Sequence, residues 1–259
     1  MSAFATDRYK CIEELLEEDE KIYVSQVAEK LDVTPETIRK DLAFLERENR
    51  LTRVHGGAVK YVPPVQEPLF RQKMNVRLEE KRLIGRLASR YVQNGDTIML
   101  DVGTTTYQLA NTLAGLQRLT IVTNSLAAAE VINKNLEAKI FDGKLVMLGG
   151  MSNPQQKSVA GTLTNQMLRH FQFDKVFLSC GGFTEHDIYD YDLEESLVSE
   201  NVLKQGRETF LLVDSSKLDQ TSFCRFGSAN ELDYVVCDAP MPREWQKNKK
   251  LKLKKWISP

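Results

Sequence analysis

The sequence predicts two units, a small winged helix-turn-helix followed by a larger α/β unit with a largely parallel sheet. Three observations carry this. Two short amphipathic helices, 25–31 and 35–48, are separated by Asp32-Val33-Thr34, which leaves room only for a tight turn. From residue 97 onward, short continuous apolar runs alternate with helical stretches, the pattern of strands covered on both faces. Between the two patterns, Val62-Pro63-Pro64-Val65-Gln66-Glu67-Pro68 carries three prolines, which exclude helix and favour an extended spacer. The boundaries read as 1–61 for the first unit, 62–69 for the linker, 70–242 for the second unit and 243–259 for a basic C-terminal tail.

In chain order, residues 9–18 form a first helix with Ile12, Leu15 and Leu16 on its apolar stripe. Thr34 is placed to cap the helix that follows it, and Pro35 falls at the first helical position, where its missing N–H costs nothing. Ile38, Leu42 and Leu45, at spacings of four and three, define the buried stripe of that helix. Its opposite face carries Glu36, Thr37, Arg39, Lys40, Ala43 and Arg47, a set able to hydrogen-bond base edges and neutralise phosphates. A recognition helix enters the major groove by its N-terminal end, so Thr34, Glu36, Thr37 and Lys40 are the candidates for base contact. Arg39, Arg47, Arg50 and Arg53 are expected on phosphates. An ordinary solvated helix face is the alternative. Two strand-like runs, 51–54 and 58–61, joined through His55-Gly56-Gly57, then read as a hairpin that carries Arg53 and His55 behind the helix as a wing.

In the second unit, residues 70–92 read as one long helical stretch. Strands are expected at 97–100, 119–122, 144–148, 175–179, 209–213 and 234–237, and helices at 106–113, 125–134, 159–170 and 193–204. Composition is that of an ordinary globular chain, with 42% hydrophobic and 27% charged residues. No apolar run approaches the length of a membrane span, and residues 1–10 lack the features of a secretory signal. Cys11, Cys180, Cys224 and Cys237 form no C-x-x-C pair, which argues against a zinc site and a disulfide framework. A cytoplasmic, reduced protein with no cofactor and no membrane partner is the expectation. The net charge of −1 suits a nucleic-acid binder only through a local basic face. That weak local excess predicts a homo-oligomer, dimer or tetramer, for useful affinity.

Ligands of open α/β sheets sit at the C-terminal ends of strands, and here those ends share a chemistry. The first delivers Asp101-Val102-Gly103-Thr104-Thr105-Thr106, a glycine turn with three hydroxyls at a helix start, suited to an anion. The next ends deliver Thr123-Asn124-Ser125, Gly149-Gly150, Gly181-Gly182 and Asp214-Ser215-Ser216-Lys217. Together they describe a pocket for a small phosphorylated polyol, with phosphate on the threonines and backbone amides, Lys217 adding charge and Asp101 accepting from hydroxyls. Taken singly, G-T-T-T is a capped helix start, a G-G pair is a turn and Lys217 is a solvated lysine. No G-K-[ST] loop and no G-x-G-x-x-G occurs. In the tail, Arg243, Lys247, Lys249, Lys250, Lys252, Lys254 and Lys255 stand against Glu244 alone. The tail reads as a nucleic-acid contact or a solvated extension, with Leu251, Leu253 and Trp256 able to dock part of it as an edge strand.

The run T-P-E-T-I-R-K-D-L-A-F-L-E-R-E-N-R-L-T-R-V-H-G-G-A-V, residues 34–59, closely resembles the N-terminal signature of the DeoR family of bacterial transcriptional regulators. Lys40 stands where a second Arg is more usual, which keeps the charge and loses the bidentate fork. The D-V-G-T-T-T, T-N-S and D-S-S-K runs are similar, in order and spacing, to that family's C-terminal sensor domain, so the resemblance spans roughly residues 9–239. It implies a fold related to ribose-5-phosphate isomerase, a sugar-phosphate effector and, usually, repression of a carbohydrate operon through a double-stranded DNA operator. Ser179-Cys180-Gly181-Gly182 departs from the small Gly/Ala-rich segment common there. Asp192, Glu194 and Glu195 lie near where related isomerases keep acidic groups, while helix N-terminal acids are their plainer reading. A regulator rather than an enzyme is the expectation, with a sugar-phosphate isomerase fused to a DNA-binding domain as the alternative. An RNA-binding module using the tail comes third.

Overall fold

The computed structural model describes residues 3–19, 21–48, 50–54, 56–60 and 67–259. The chain divides into two compact units, Met1–Gln66 and Glu67–Pro259. Residues 61–66, most of the expected linker, lie outside the described residues, and Glu67, Pro68 and Leu69 belong to the second unit.

The first unit contains α1 (Ala3–Glu18), β1 (Lys21–Tyr23), α2 (Val24–Lys30), α3 (Pro35–Arg47), β2 (Leu51–Val54) and β3 (Gly57–Lys60). Ile12, Leu16, Val27, Ala28, Ile38, Leu42, Leu45, Leu51 and Ala58 make its core. Arg8 of α1 reaches the buried Asp41 of α3 through two hydrogen bonds of 2.7 and 2.9 Å, so an ion pair fixes one helix on the other. β1 joins the hairpin as a third antiparallel strand, in the order β1-β3-β2, which the sequence reading did not anticipate. The two hairpin glycines serve different ends. Gly56 has a φ of 78°, the positive value a tight turn needs, whereas at Gly57 a Cβ would lie 1.9 Å from the Ile22 carbonyl oxygen, so only glycine lets β1 pair there.

The second unit begins with α4 (Phe70–Asn75) and α5 (Leu78–Ser89), continues through β4 (Thr97–Leu100), α6 (Thr104–Thr112), β5 (Leu119–Thr123), α7 (Leu126–Glu137) and β6 (Gly143–Met147), and then forms a small hairpin, β7 (Met151–Asn153) and β8 (Ser158–Ala160). Next come α8 (Thr162–Leu168), β9 (Phe173–Leu178), β10 (Gly182–Phe183), β11 (Asp187–Asp190), α9 (Leu193–Leu203), β12 (Gly206–Val213), β13 (Cys224–Ser228), β14 (Tyr234–Cys237) and β15 (Lys255–Ile257). The helix expected over 159–170 is shorter, because Ser158–Ala160 pair as β8, and the stretch expected as one helix over 70–92 is broken at Val76-Arg77.

Seven parallel strands in the order β15-β14-β12-β9-β4-β5-β6 form the main sheet. Alternation along each strand supplies both faces. Ile98, Leu100, Phe177, Phe210 and Leu212 point to α5, α6 and α7, while Met99, Val176, Leu178, Leu211 and Val213 point to α8, α9 and the antiparallel β10-β11-β13 sheet. The C-terminal segment is part of this unit: β15 pairs with β14 as an edge strand, and Trp256 donates to the Ala239 carbonyl at 2.8 Å.

Close packing of α5 on α6 sets where the α6 N-terminus lies. Gly85 permits it, since a Cβ there would stand 2.7 Å from the Gln108 carbonyl carbon, a backbone atom. Gly85→Ala forces the helices apart and is expected to destabilise the second unit by about 1–3 kcal/mol, as overpacked cores do. Denaturant unfolding that places the variant within about 0.5 kcal/mol of the parent, the spread of a neutral substitution, would refute this packing.

Candidate functional site

Two surfaces carry the residues singled out by the sequence. On the first unit, Thr34 caps α3, its hydroxyl accepting from the Thr37 amide at 3.2 Å and lying 2.9 Å from the Thr37 hydroxyl. Ile38, Leu42 and Leu45 are buried, and Glu36, Arg39, Lys40 and Arg47 are exposed, as one helix with one apolar face requires. Most cations of the unit already have a carboxylate. Arg39 pairs with Glu36 at 3.2 Å, Arg53 with Glu46 at 3.8 Å and Arg50 with Glu13 at 2.5 Å. Arg50, grouped by the sequence with the phosphate contacts, thus ties the turn after α3 to α1. The Arg47 guanidinium donates to the Ala43 carbonyl at 3.3 Å. Lys40 has no ion pair among the described residues. His55 lies outside the described residues.

In the second unit, the strand order reverses between β4 and β9. Successive strands run from β4 to β6 on one side, and from β9 to β15 on the other. Connections leaving neighbouring strands in opposite directions open a crevice at their C-terminal ends. A cavity of about 160 Å³ lies there, lined by the loop after β4, by Ser179 and Cys180 after β9, by Asp214, Ser216 and Lys217 after β12, and by α4 and α5.

Of the residues named from the sequence, Gly103, Thr104, Thr105 and Lys217 line this cavity together. Gly103 is required because the Ser179 hydroxyl approaches to 2.0 Å of where its Cβ would be. The Thr104 and Thr105 hydroxyls, at the N-terminus of α6, make no hydrogen bond among the described residues. Lys217 donates to the Tyr191 hydroxyl at 3.1 Å. Burial alone would lower its pKa, but that hydroxyl and the charges nearby raise it, so the ammonium is retained.

The others stand behind the wall or apart from it. Asp101 is 1% exposed, with one oxygen accepting from Ser199 at 2.5 Å and the other from the Val102 amide at 2.8 Å. Desolvation raises its pKa to about 6 against the pull of those bonds. Thr106 donates to the Asp101 carbonyl at 2.8 Å and Thr123 to the Leu100 carbonyl at 2.7 Å, both holding backbone at strand ends. The Asn124 amide is fully buried, and neither of its polar atoms has a hydrogen-bond partner. Gly149 accepts from the Thr164 hydroxyl, and a Cβ on Gly150 would meet that hydroxyl at 2.1 Å, so this pair fits α8 against the hairpin. Gly181 leaves room for the Tyr191 ring, 2.6 Å from where its Cβ would lie.

Sequence reasoning missed most of the opposite wall, naming only Glu195 of it and reading that residue more plainly as a helix N-terminal acid. Glu67, Gln72, Lys73, Lys81, Asp190, Tyr191 and Glu195 also line the cavity. Lys81 left a trace: it occupies the same helical stripe as Ile84, Gly85 and Ala88, a buried face where lysine is out of place. Its ammonium donates to the Lys73 carbonyl at 2.7 Å, and burial, with Lys217 and Lys73 nearby, lowers its pKa to about 8. Asp192 caps α9 by accepting from the Glu195 amide at 2.9 Å, whereas the Glu195 side chain is bonded to Ser158 at 2.5 Å. Desolvation, reinforced by Glu67, raises Glu195 to about 8 and Asp190 to about 7. Lysines and carboxyls thus face each other across a small space, and an anion would relieve the former. No cluster that could hold a metal and no helix long and apolar enough to cross a membrane occurs among the described residues.

Family models match the chain in two places: the DeoR-like helix-turn-helix domain over residues 8–61, and the DeoR C terminal sensor domain over residues 76–239. An uncharacterized HTH-type transcriptional regulator of Staphylococcus epidermidis is 37% identical over 82% of this chain and 84% of its own length. The lactose phosphotransferase system repressor of Staphylococcus epidermidis is 32% identical over 90% of this chain and 91% of its own. Among solved structures, ribose 5-phosphate isomerase A of Methanocaldococcus jannaschii aligns with a TM-score of 0.37 at 18% identity, over 53% of each chain.

The titrating groups of the cavity give a signed pH dependence. Between pH 7 and 9 Lys81 loses its proton, while Asp190 and Glu195 complete theirs, in a space also faced by Glu67, Lys73, Asp214 and Lys217. Each change opposes an anion, and a phosphate monoester, with a second pKa of about 6, hardly changes charge there. Affinity for a phosphate monoester from the sugar-phosphate class, measured by calorimetry at fixed ionic strength, should fall by up to about tenfold per pH unit for each linked proton. Affinity that holds or rises over that range contradicts the assignment.

Proposed function

The chain belongs to the DeoR family of transcriptional regulators, and from that premise we propose that it represses carbohydrate-metabolism genes under the control of a phosphorylated sugar or polyol. Operator DNA is held by α3 and the β2–β3 wing, with Thr34, Glu36, Thr37 and Lys40 toward base edges and Arg39, Arg47 and Arg53 toward phosphates. Two or four copies act together, since one α3 spans a single half-site and paired half-sites lie one duplex turn apart. The chain works in the cytoplasm, beside the chromosome it reads.

One observation carries the effector assignment. Lys73, Lys81 and Lys217 share a cavity with two uncommitted threonine hydroxyls at the N-terminus of α6, at the point where the strand order reverses. Backbone amides, hydroxyls and three ammonium groups around one small space form a phosphate cradle. At about 160 Å³ the cavity is below the roughly 300–1,000 Å³ of drug-sized pockets, which favours a compact ligand. Carboxyl groups of Asp190 and Glu195 at the other side are suited to sugar hydroxyls. Asp101 is withdrawn from this contact by its bond to Ser199, which also removes it as a base for isomerase turnover.

Thermal-shift measurements with a panel of phosphorylated sugars, each beside its unphosphorylated parent, test the assignment. Only phosphorylated members should raise the melting temperature, and Lys217→Ala should erase that rise. A rise of equal size with the unphosphorylated parents sinks the cradle. Each hit should also change affinity for duplex selected by the protein from a random pool, without product formation from the sugar. A hit that leaves duplex affinity unchanged overturns the control step.

The DNA face is tested on the same duplex. Arg47→Ala should weaken binding to all sequences and reduce the slope of log affinity against log salt by about one, while Lys40→Ala should relax sequence choice. Arg50→Ala, which breaks the tie to Glu13, should lower head stability and leave that slope alone. A reversed pattern would put the groove contact on the wrong cations.

A further inference from the structure

Glu67 opens the second unit, and it lines the effector cavity. Pro68 follows it into the same wall, and α4 adds Gln72 and Lys73. The segment by which the chain leaves the DNA-binding unit is therefore also a wall of the pocket. Three ties hold it. Pro68 accepts from the Gln156 amide at 3.3 Å, the Phe70 amide donates to the Gln155 carbonyl at 3.0 Å, and the Glu67 carboxylate is ion-paired with the Lys73 ammonium. The first two go to the β7–β8 turn and involve no cavity cation. The third does: Lys73 is one of the three lysines of the cradle, and Glu67 is its ion-pair partner among the described residues.

An anion entering the cavity meets Glu67 as a like charge and Lys73 as an opposite one. Both conditions act on the same pair, because an ammonium shared between two anions binds each less tightly than it would alone. Asp190 and Glu195 face the same space and add to the repulsion on Glu67 to the extent that they are ionised. Resting on the effector reading above, we propose that the bound anion and Glu67 compete for Lys73, so that occupancy of the cavity frees the start of the second unit and is passed along the chain to the DNA-binding unit. Lys73 is then an effector-binding residue and Glu67 the internal ligand that it exchanges.

The test uses the full chain, with inorganic phosphate and the best phosphorylated sugar from the panel as probes. Glu67→Gln removes the competitor while keeping the side-chain size. It should tighten both probes by about five- to tenfold, the lower end of a typical coupling between sites. A gain of affinity is not what local damage produces. In the same variant, the ratio of duplex affinities without and with a saturating probe should move toward one, because the segment is already free. Lys73→Gln should weaken both probes and also bring that ratio toward one at saturation. Should wild type bind and respond while Glu67→Gln matches it in probe affinity and in the ratio, the exchange is overturned and the effector reading stands. Should wild type bind neither probe, the effector reading falls and takes the exchange with it.

Discussion

The guanidinium of Arg77 holds the second unit in the form that has a pocket at all. Its nitrogens lie 3.0 Å from Asp238, 2.9 Å from the Ser215 hydroxyl and 3.5 Å from Asp214, at the ends of β12 and β14. To reach them the residue takes a φ of 53°, a conformation that L side chains avoid. Left-handed backbone ends a helix, so the 70–92 stretch cannot run straight and α4 turns over the strand ends instead. Backbone strain at a non-glycine residue costs on the order of 1–3 kcal/mol. It is offset by carboxylates that are only 5% and 9% exposed and would otherwise be buried without a cation. The same contacts order the Asp214-Ser215-Ser216-Lys217 turn, since Ser215 also donates from its amide to Asp238 at 2.6 Å.

Once α4 is in place, the chemistry of the crevice follows from topology. Reversal of strand order puts the ends of β4 and β9 side by side, and the close approach of Ser179 to Gly103 is the local expression of that neighbourhood. The helix start after β4 contributes dipole and amides, and the turn after β12 contributes a lysine. From the other wall come two more lysines and three carboxyl groups. The raised carboxyl values and the lowered lysine value have one origin, charge withdrawn from water without a full complement of partners. Such an arrangement is poised for a ligand, because binding supplies the missing partner.

Much of this was legible in the sequence where a local rule decides the outcome. Thr34 and Pro35 announce the start of α3, and Ile38, Leu42 and Leu45 its buried face, all of which the structure repeats. Apolar runs located β4, β5, β9, β12 and β14, since parallel strands buried on both sides carry continuous apolar sequence. That Gly103, Thr104 and Thr105 stand together in one wall of the cavity was readable for a similar reason, as glycine and hydroxyls in fixed register after a strand. Long-range constraints were not readable. Nothing near Arg77 resembles a helix breaker, because its strain is set by carboxylates more than a hundred residues away. Lys73 carries no local signal of its place in the cavity, Lys81 only its position on a buried stripe, and the short pairings β1, β7–β8 and β10–β11 depend on partners that no window of sequence contains. Thr123 and Thr106 were selected by residue type, which cannot tell a hydroxyl aimed at a ligand from one that props a strand end.

The charge pattern of the head bears on how small an effector signal suffices. Arg8, Arg39, Arg50 and Arg53 each face a carboxylate within the unit, so a phosphate must compete with Asp41, Glu36, Glu13 or Glu46 for much of the positive charge carried by its arginines. Surface pairs such as Arg39–Glu36 yield readily, being worth about 0–1 kcal/mol, but each one still subtracts from the gain on DNA. In the proposed reading the affinity of a single head is therefore modest, and occupancy of an operator depends on two or more heads engaging together. A system balanced in that way sits near the midpoint of its binding curve. A coupling of about 1–3 kcal/mol, ordinary for two linked sites, changes affinity about 5- to 150-fold and moves such a curve from mostly bound to mostly free. A single exchanged ion pair at the entrance to the sensor unit lies within that range, so no large rearrangement of its packed core is required.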